Sequence, residues 1–308
     1  MTFFISFLMC SVLFTANNNP LGVETFVLDN GLTIYLNEDH TASSVFGAIV
    51  VKGGGKRDPK DATGIAHYLE HLLFKGTEQL GTIDYEQEKV FLDKIETKYE
   101  ELSTTEDSDK RLKIQMEINE LSLLASDFAI PNELDHLLES MGGARINAFT
   151  SDDVIVYLNK FPSNQIKKWI EVYSHRFINP VFRLFQPELE IVYEEKNRAM
   201  DNIFYRLYET YVESFFKNHP YGQQTVLGTV EHLKNPSLKK MKEYYDTYYI
   251  ANNMALILTG NFNTQSIKPL IREKFGIWEP GETIEPLNIY EENFKGRELI
   301  NKRFTPIK

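Results

Sequence analysis

His67 and His71 stand four residues apart in the run GIAHYLEHLLF (residues 64–74), with Glu70 between them. On a helix, that spacing returns to the same face about one turn further on, so both imidazoles can reach one ion. Glu70, three after His67, shares that flank and can touch a water beside the ion without ligating it. The pattern H-x-x-E-H therefore points to a divalent metal and hydrolysis. Two histidines on an amphipathic helix would give the same letters with no chemistry, so the third ligand decides.

A hydrolytic zinc site takes three protein ligands and keeps one open position. The chain has a single cysteine, Cys10, in its apolar N-terminal run, which leaves histidines and carboxylates as ligands. Four acids, Glu188, Glu190, Glu194 and Glu195, fall in a segment whose pattern predicts one long helix over residues 187–216. Helical spacing sorts them. Glu188, Val192, Glu195, Ala199 and Ile203 form one stripe, mostly apolar or small and expected to face the interior. Glu190, Glu194, Asn197, Arg198 and Asp201 form a polar stripe expected to face solvent. A carboxylate on a buried stripe is costly unless it is paired or binds a metal. Glu195 is therefore the best third ligand, with Glu188 two turns back; a buried Lys or Arg partner for Glu195 is the competing reading.

The elements that must position these groups can be read from pattern. Residues 24–30, 32–37 and 45–51 read as strands, and Asn30-Gly31 between the first two is a hairpin signal. Asp61 or Thr63 is expected to cap the histidine helix, residues 64–74. Residues 83–125 read as two charged helices broken at 103–109, a helical hairpin. Leu92, Ile95, Tyr99 and Leu102 form one inner stripe, and Ile114, Ile118, Leu121 and Ala125 the other. Its twelve acids and six bases over residues 83–120 are expected simply to face water. A helix at 131–141, a strand pair at 145–150 and 154–160, helices at 164–177 and 236–249, a strand at 254–259 and a helix at 264–275 follow. Hairpins dominate, which favours an α+β fold over a doubly wound parallel sheet: one mixed, mostly antiparallel sheet layered with helices.

With 308 residues the chain has ample core. A net charge of −11 argues against nucleic acid as partner. One cysteine excludes an intramolecular disulfide framework and a cysteine-rich zinc module. The apolar segment at residues 1–19 is too short for a membrane span and has the length of a signal-peptide core, yet no Lys or Arg precedes Lys52. Export and a packed N-terminal element both fit it, so the compartment stays open between periplasmic or exported and cytoplasmic.

Five segments, in order, resemble the M16 metallopeptidases, the family of insulinase and the mitochondrial processing peptidase. They are DATGIAHYLEHLLFKGT (61–77), LESMGGARINAFTSDDVIVY (138–157), ELEIVYEE (188–195), NHPYGQQTVLG (218–228) and NNMALILTGNF (252–262). The resemblance covers most of residues 20–275 and implies that residues 20–308 form an N-terminal catalytic domain. It implies His67, His71 and Glu195 as ligands of one Zn2+, Glu70 as general base, and Glu188 as a supporting carboxylate of the catalytic group. Asn147, Ala148, Phe149 and Thr150 match the edge strand that pairs with extended peptide. The implied activity is metalloendopeptidase action on peptides or small proteins. The 124 residues from His71 to Glu195 exceed the family's usual interval by about the length of the helical hairpin, as in some bacterial members. A second M16-like half or subunit is implied, to close the substrate chamber; a zinc-binding half-subunit acting only with a partner chain is the alternative. The S-ribosylhomocysteine lyases share the fold and the H-x-x-E-H pair, but take a cysteine as third ligand. His40, His136, His175 and His232 are expected at the surface or in packing, and His219 in a family-like loop.

Overall fold

The computed structural model describes residues 21–291 and 293–304; the apolar segment at residues 1–19 lies outside them. Six strands form one sheet in the order β1-β2-β6-β3-β5-β4. They are β1 (Glu24–Val27), β2 (Thr33–Glu38), β3 (Ser44–Lys52), β4 (Ala144–Thr150), β5 (Val154–Pro162) and β6 (Met254–Gly260). Only the β2–β6 pairing is parallel. The β1–β2 turn uses Gly31 at φ +87, where a Cβ would come within 2.6 Å of Asn252 Cβ.

The helices are α1 (Ile65–Leu72), α2 (Tyr85–Thr104), α3 (Ser108–Ser126), α4 (Glu133–Ser140), α5 (Ile166–Arg176), α6 (Phe185–Asp201), α7 (Ile203–Phe215), α8 (Pro220–Gln223), α9 (Val230–Lys234), α10 (Leu238–Tyr248) and α11 (Thr264–Phe275). A row of paired residues crosses the sheet on one face: Ile34, Leu256, Ile49, Tyr157 and Ala148. All five are buried. The opposite-face row of Tyr35, Ile257, Ala48, Leu158 and Asn147 is mostly half-exposed or exposed. The alternation of strand side chains thus gives a two-layer body. Trp169 of α5 lies over the sheet where Gly47 leaves room, and its Nε1 donates to Asn159 Oδ1 at 2.6 Å.

Helices α2 and α3 are the expected hairpin, and they bury Ile95, Tyr99, Leu102, Ile114, Ile118 and Ala125. The expected helix over residues 187–216 is two helices. The chain breaks at Asn202, whose side chain leaves the ladder and accepts the N–H groups of Phe204 and Tyr205. Local side-chain competition for backbone groups overrode a continuous apolar pattern. No helix among the described residues is long and apolar enough to cross a membrane.

Candidate metal centre

Helix α1 turns Ile65, Ala66, Tyr68, Leu69 and Leu72 into the core. This leaves His67, Glu70 and His71 lining a cleft of about 620 Å³. The expected cap at Asp61 or Thr63 is not what starts the helix. Asp58, 4% exposed, accepts from Gly64 N at 2.6 Å and from Ala66 N at 2.9 Å. Asp61 instead reaches out to Lys240, and Thr63 bonds His232. Gly64 sits at φ +91, and a Cβ there would come 2.8 Å from Gly228 Cα. That contact brings Val226 and Leu227 to the cleft wall.

Helix α6 supplies the second wall, and its burial departs from the expected stripe. Phe185, Glu188, Leu189, Val192 and Lys196 are the buried residues. The Glu195 side chain is 39% exposed at the cleft, and Ile203, beyond the break at Asn202, is exposed. Lys196, not Glu195, holds the next interior position, where its Nζ pairs with Glu209 at 2.9 Å.

Three donor atoms converge. Glu195 Oε2 lies 3.4 Å from His67 Nε2 and 3.6 Å from His71 Nε2. Among the described residues, His67, His71 and Glu195 form a group offering one ligand atom each, all within 4.8 Å of one another. Tetrahedral coordination with bonds of about 2.0–2.1 Å sets ligand atoms about 3.3 Å apart, so this donor set fits a zinc-sized ion with small adjustments. The two rings stand edge to face, centroids 4.8 Å apart. Glu188 lies behind His71: its Oε2 is 3.4 Å from Nδ1, and its Oε1 is 2.7 Å from Lys75 Nζ. His67 Nδ1 is buried without a hydrogen-bond partner among the described residues.

Burial, followed by the neighbouring His71, pushes the His67 imidazole down to about 4. Burial also works against charge on His71, but bonds to Glu188 and Glu195 outweigh it and bring the group up to about 9. The bond from His71 keeps Glu195 below the usual carboxylate range. For Glu188, burial is outweighed by His71 and Lys75, which hold it low. Glu70, 7% exposed, is pushed up by burial, and its Oε2 accepts from Thr150 Oγ1 at 2.5 Å.

Thr150 ends β4, the edge strand. Among the described residues β4 pairs with β5 alone, which leaves its other backbone edge unpaired beside the cleft that Asn147, Ala148, Phe149 and Thr150 all line. Phe149 is 47% exposed and Ala148 is buried. The structure thus gathers all nine site residues read from sequence around one cleft. Lys75, Asp58, Val226 and Leu227 were not foreseen. Lys75, four after His71, and Val226 and Leu227, inside the segment 218–228, carry a signal that could have been used; Asp58 carries none.

The family model described as "Insulinase (Peptidase family M16)" matches residues 33–94 and 101–228. The chain belongs to peptidase family M16. A second M16 model, described as "Peptidase M16 inactive domain", matches residues 236–306, a span that contributes β6 to the middle of the same sheet. The first match is interrupted inside α2 of the hairpin. Among curated M16 relatives, the zinc protease PqqE of Helicobacter pylori is 25% identical over 256 residues, 82% of this chain and 46% of that protein. The mitochondrial-processing peptidase subunit beta of Saccharomyces cerevisiae is 23% identical over 281 residues, 90% of this chain and 49% of that protein. The solved first half of the periplasmic protease PqqL from Escherichia coli shares the fold, with a TM-score of 0.64 at 18% identity over 86% of this chain and 48% of that one. The chain spans about half the length of the curated relatives it matches.

Proposed function

We propose that the chain is the catalytic half of a zinc metalloendopeptidase, with His67, His71 and Glu195 as ligands and Glu70 as general base. The observation that carries this is the convergence of the two Nε2 atoms and Glu195 Oε2, with Glu70 lining the same cleft but outside that group. The names of the relatives support zinc as the metal. A zinc ion held there would polarise the scissile carbonyl and acidify water beside it.

The chain's own residues do the rest. Glu188 accepts from His71 Nδ1, which fixes the tautomer and turns Nε2 to the centre. Glu70, raised by burial and oriented by the Thr150 hydroxyl, takes one proton from the attacking water. It returns that proton to the leaving amine, so one water is consumed and one acid and one amine are formed. The open edge of β4 holds the substrate as an added strand, with backbone bonds along Asn147, Ala148, Phe149 and Thr150. The substrate is therefore an extended peptide or small-protein segment, and a second M16-like half or subunit closes the chamber over it.

The test is Glu70→Gln, assayed with zinc on a quenched peptide, alone and with a second half. The amide still accepts from Thr150, so zinc content should be retained while turnover falls by about 10²–10⁴-fold. Unchanged turnover refutes the role of Glu70. Zinc without turnover in the unmodified chain, in both conditions, means a binding half-subunit instead.

A further inference from the structure

Arg183 is 1% exposed and spends all five of its guanidinium N–H groups inside the protein. Nε and Nη2 grip the Glu88 carboxylate at 2.8 and 3.0 Å. Nη1 donates to the carbonyls of Lys75 and Leu80 at 2.7 and 2.9 Å, and Nη2 to that of Thr77 at 2.8 Å. The loop that leaves α1 is thus wound around one side chain. Two of its glycines make room: a Cβ at Gly76 or Gly81 would lie 3.0 or 2.8 Å from Nη1.

Glu88 belongs to the first turn of α2, in the inserted hairpin, and is fully buried. It is the countercharge that lets Arg183 sit in the interior, and the forked geometry suits it. Both ends of this clamp lead to the metal centre. Arg183 stands two residues before Phe185, the start of α6, and the Phe185 carbonyl in turn accepts from Tyr68 of α1. Lys75, held by its carbonyl, extends its Nζ to Glu188 at 2.7 Å, and Glu188 faces His71 Nδ1 at 3.4 Å. A continuous run of polar contacts therefore joins Glu88, Arg183, Lys75, Glu188 and His71.

We propose that the inserted hairpin is a positioning element of the metal centre: Glu88, through Arg183 and Lys75, holds Glu188 against His71 and so aims the imidazole. The proposal rests on the zinc reading of the site. It assigns Glu88, Arg183 and Lys75 as positioning residues, none of them in the group that would hold the metal. Groups that orient a ligand from behind typically change metal affinity by about 10–100-fold when removed.

Zinc affinity of the chain, measured by competition with a chromophoric chelator, tests this for Glu88→Gln, Lys75→Met, their combination, and Tyr99→Phe. Tyr99 is the control, because its hydroxyl also ties the hairpin to α6, at Gln186 Oε1 2.6 Å away, but outside the run. Glu88→Gln and Lys75→Met should each weaken zinc binding about tenfold or more, and the double variant should lose less than the product of the two. Tyr99→Phe should bind zinc within about twofold of the unmodified chain. Without zinc, the imidazole ¹⁵N resonances of His71 should shift in the first two variants and stay put in Tyr99→Phe. Glu88→Gln binding zinc like the unmodified chain, fully multiplicative losses, or unmoved His71 resonances would each overturn the proposal. If the unmodified chain takes up no zinc, the zinc reading falls, and the His71 resonances alone decide the positioning claim. Should Glu88→Gln fail to fold, Glu88→Asp with Lys75→Met carries the same comparison.

Discussion

Replacing Glu195 by Ala removes the carboxylate oxygen that lies within 3.6 Å of both imidazole Nε2 atoms. The second acid of the same helix wall is not free to replace it. Glu188 lies on the Nδ1 side of His71, and its other oxygen is held by Lys75 at 2.7 Å; swinging it round would strand a lysine whose side chain is only 12% exposed. The loss in zinc affinity must exceed that of an orienting partner, which is about 10–100-fold, so it should be greater than about 100-fold, or about 2.7 kcal/mol. Glu188→Gln, which weakens orientation but leaves all three donors, should fall in the 10–100-fold range. Glu194→Ala should change nothing, since that side chain is exposed and its hydrogen-bond partner among the described residues is Asn197, at 3.4 Å. Chelator competition and bound-metal analysis on the three variants give the order directly, with circular dichroism to show that each is folded. Equal metal content in Glu195→Ala and Glu194→Ala would refute the ligand assignment. A larger loss in Glu188→Gln than in Glu195→Ala would show that the two acids have been given each other's roles.

Thr150→Val removes the hydroxyl that donates to Glu70 at 2.5 Å. Peptide turnover should fall about tenfold or more while zinc content is unchanged, as fits a bond to a charged acceptor of about 1.5–3 kcal/mol; turnover within twofold of the unmodified chain would remove Thr150 from the mechanism. Asp58 gives a pH prediction: burial pushes its carboxyl from the ordinary 3.8 up to about 8. The folded chain then keeps a proton that the unfolded chain has lost, so the stabilisation is complete below about 4, falls as pH rises, and is gone above about 8. Asp58→Asn does not titrate there, so calorimetric Tm of the unmodified chain should fall relative to the variant between pH 5 and 8; parallel curves would show that the carboxyl is charged in the fold.

The helix carrying His67 and His71 was legible because five apolar residues and three polar ones repeat at helical spacing within a few turns. The layered body was legible because hairpins dominate the order of strands, and along β2 and β6 buried Ile34 and Leu256 do alternate with more exposed neighbours. What begins and ends these elements was harder to read. Asp58 caps α1 from outside the usual capping position, after a turn that closes only in three dimensions. Asn202 breaks a helix whose apolar pattern runs straight through it, because the rival bonds of one short side chain do not register in periodicity. The tie from the hairpin to the centre lay outside any pattern. Glu88 sits among a dozen acids that looked alike as solvated charge, and only the fold shows that this one is fully buried against Arg183.

Glu195 shows how a burial argument can single out a residue of the cleft by an incomplete route. The stripe reading assumed that a ligand carboxylate must face the interior, with Val192 and Ala199 as its neighbours. The structure buries Val192, but the next interior position is Lys196, one residue past Glu195, and Glu209 neutralises it. Helix α6 is therefore not divided into a buried face and a wet one. Glu188 and Val192 point inward, Glu190 and Glu194 outward, and Glu195 lies on the boundary where the helix meets the cleft. A hydrolytic metal centre requires that boundary. A fully buried Glu195 could bind an ion but would leave no path for a peptide or a water, whereas one on the Glu194 side could not reach α1. On the proposed reading, the demand for one open coordination position selects the half-exposed register, and Glu188, two turns back and deeper on the same helix, is left to orient His71 from behind.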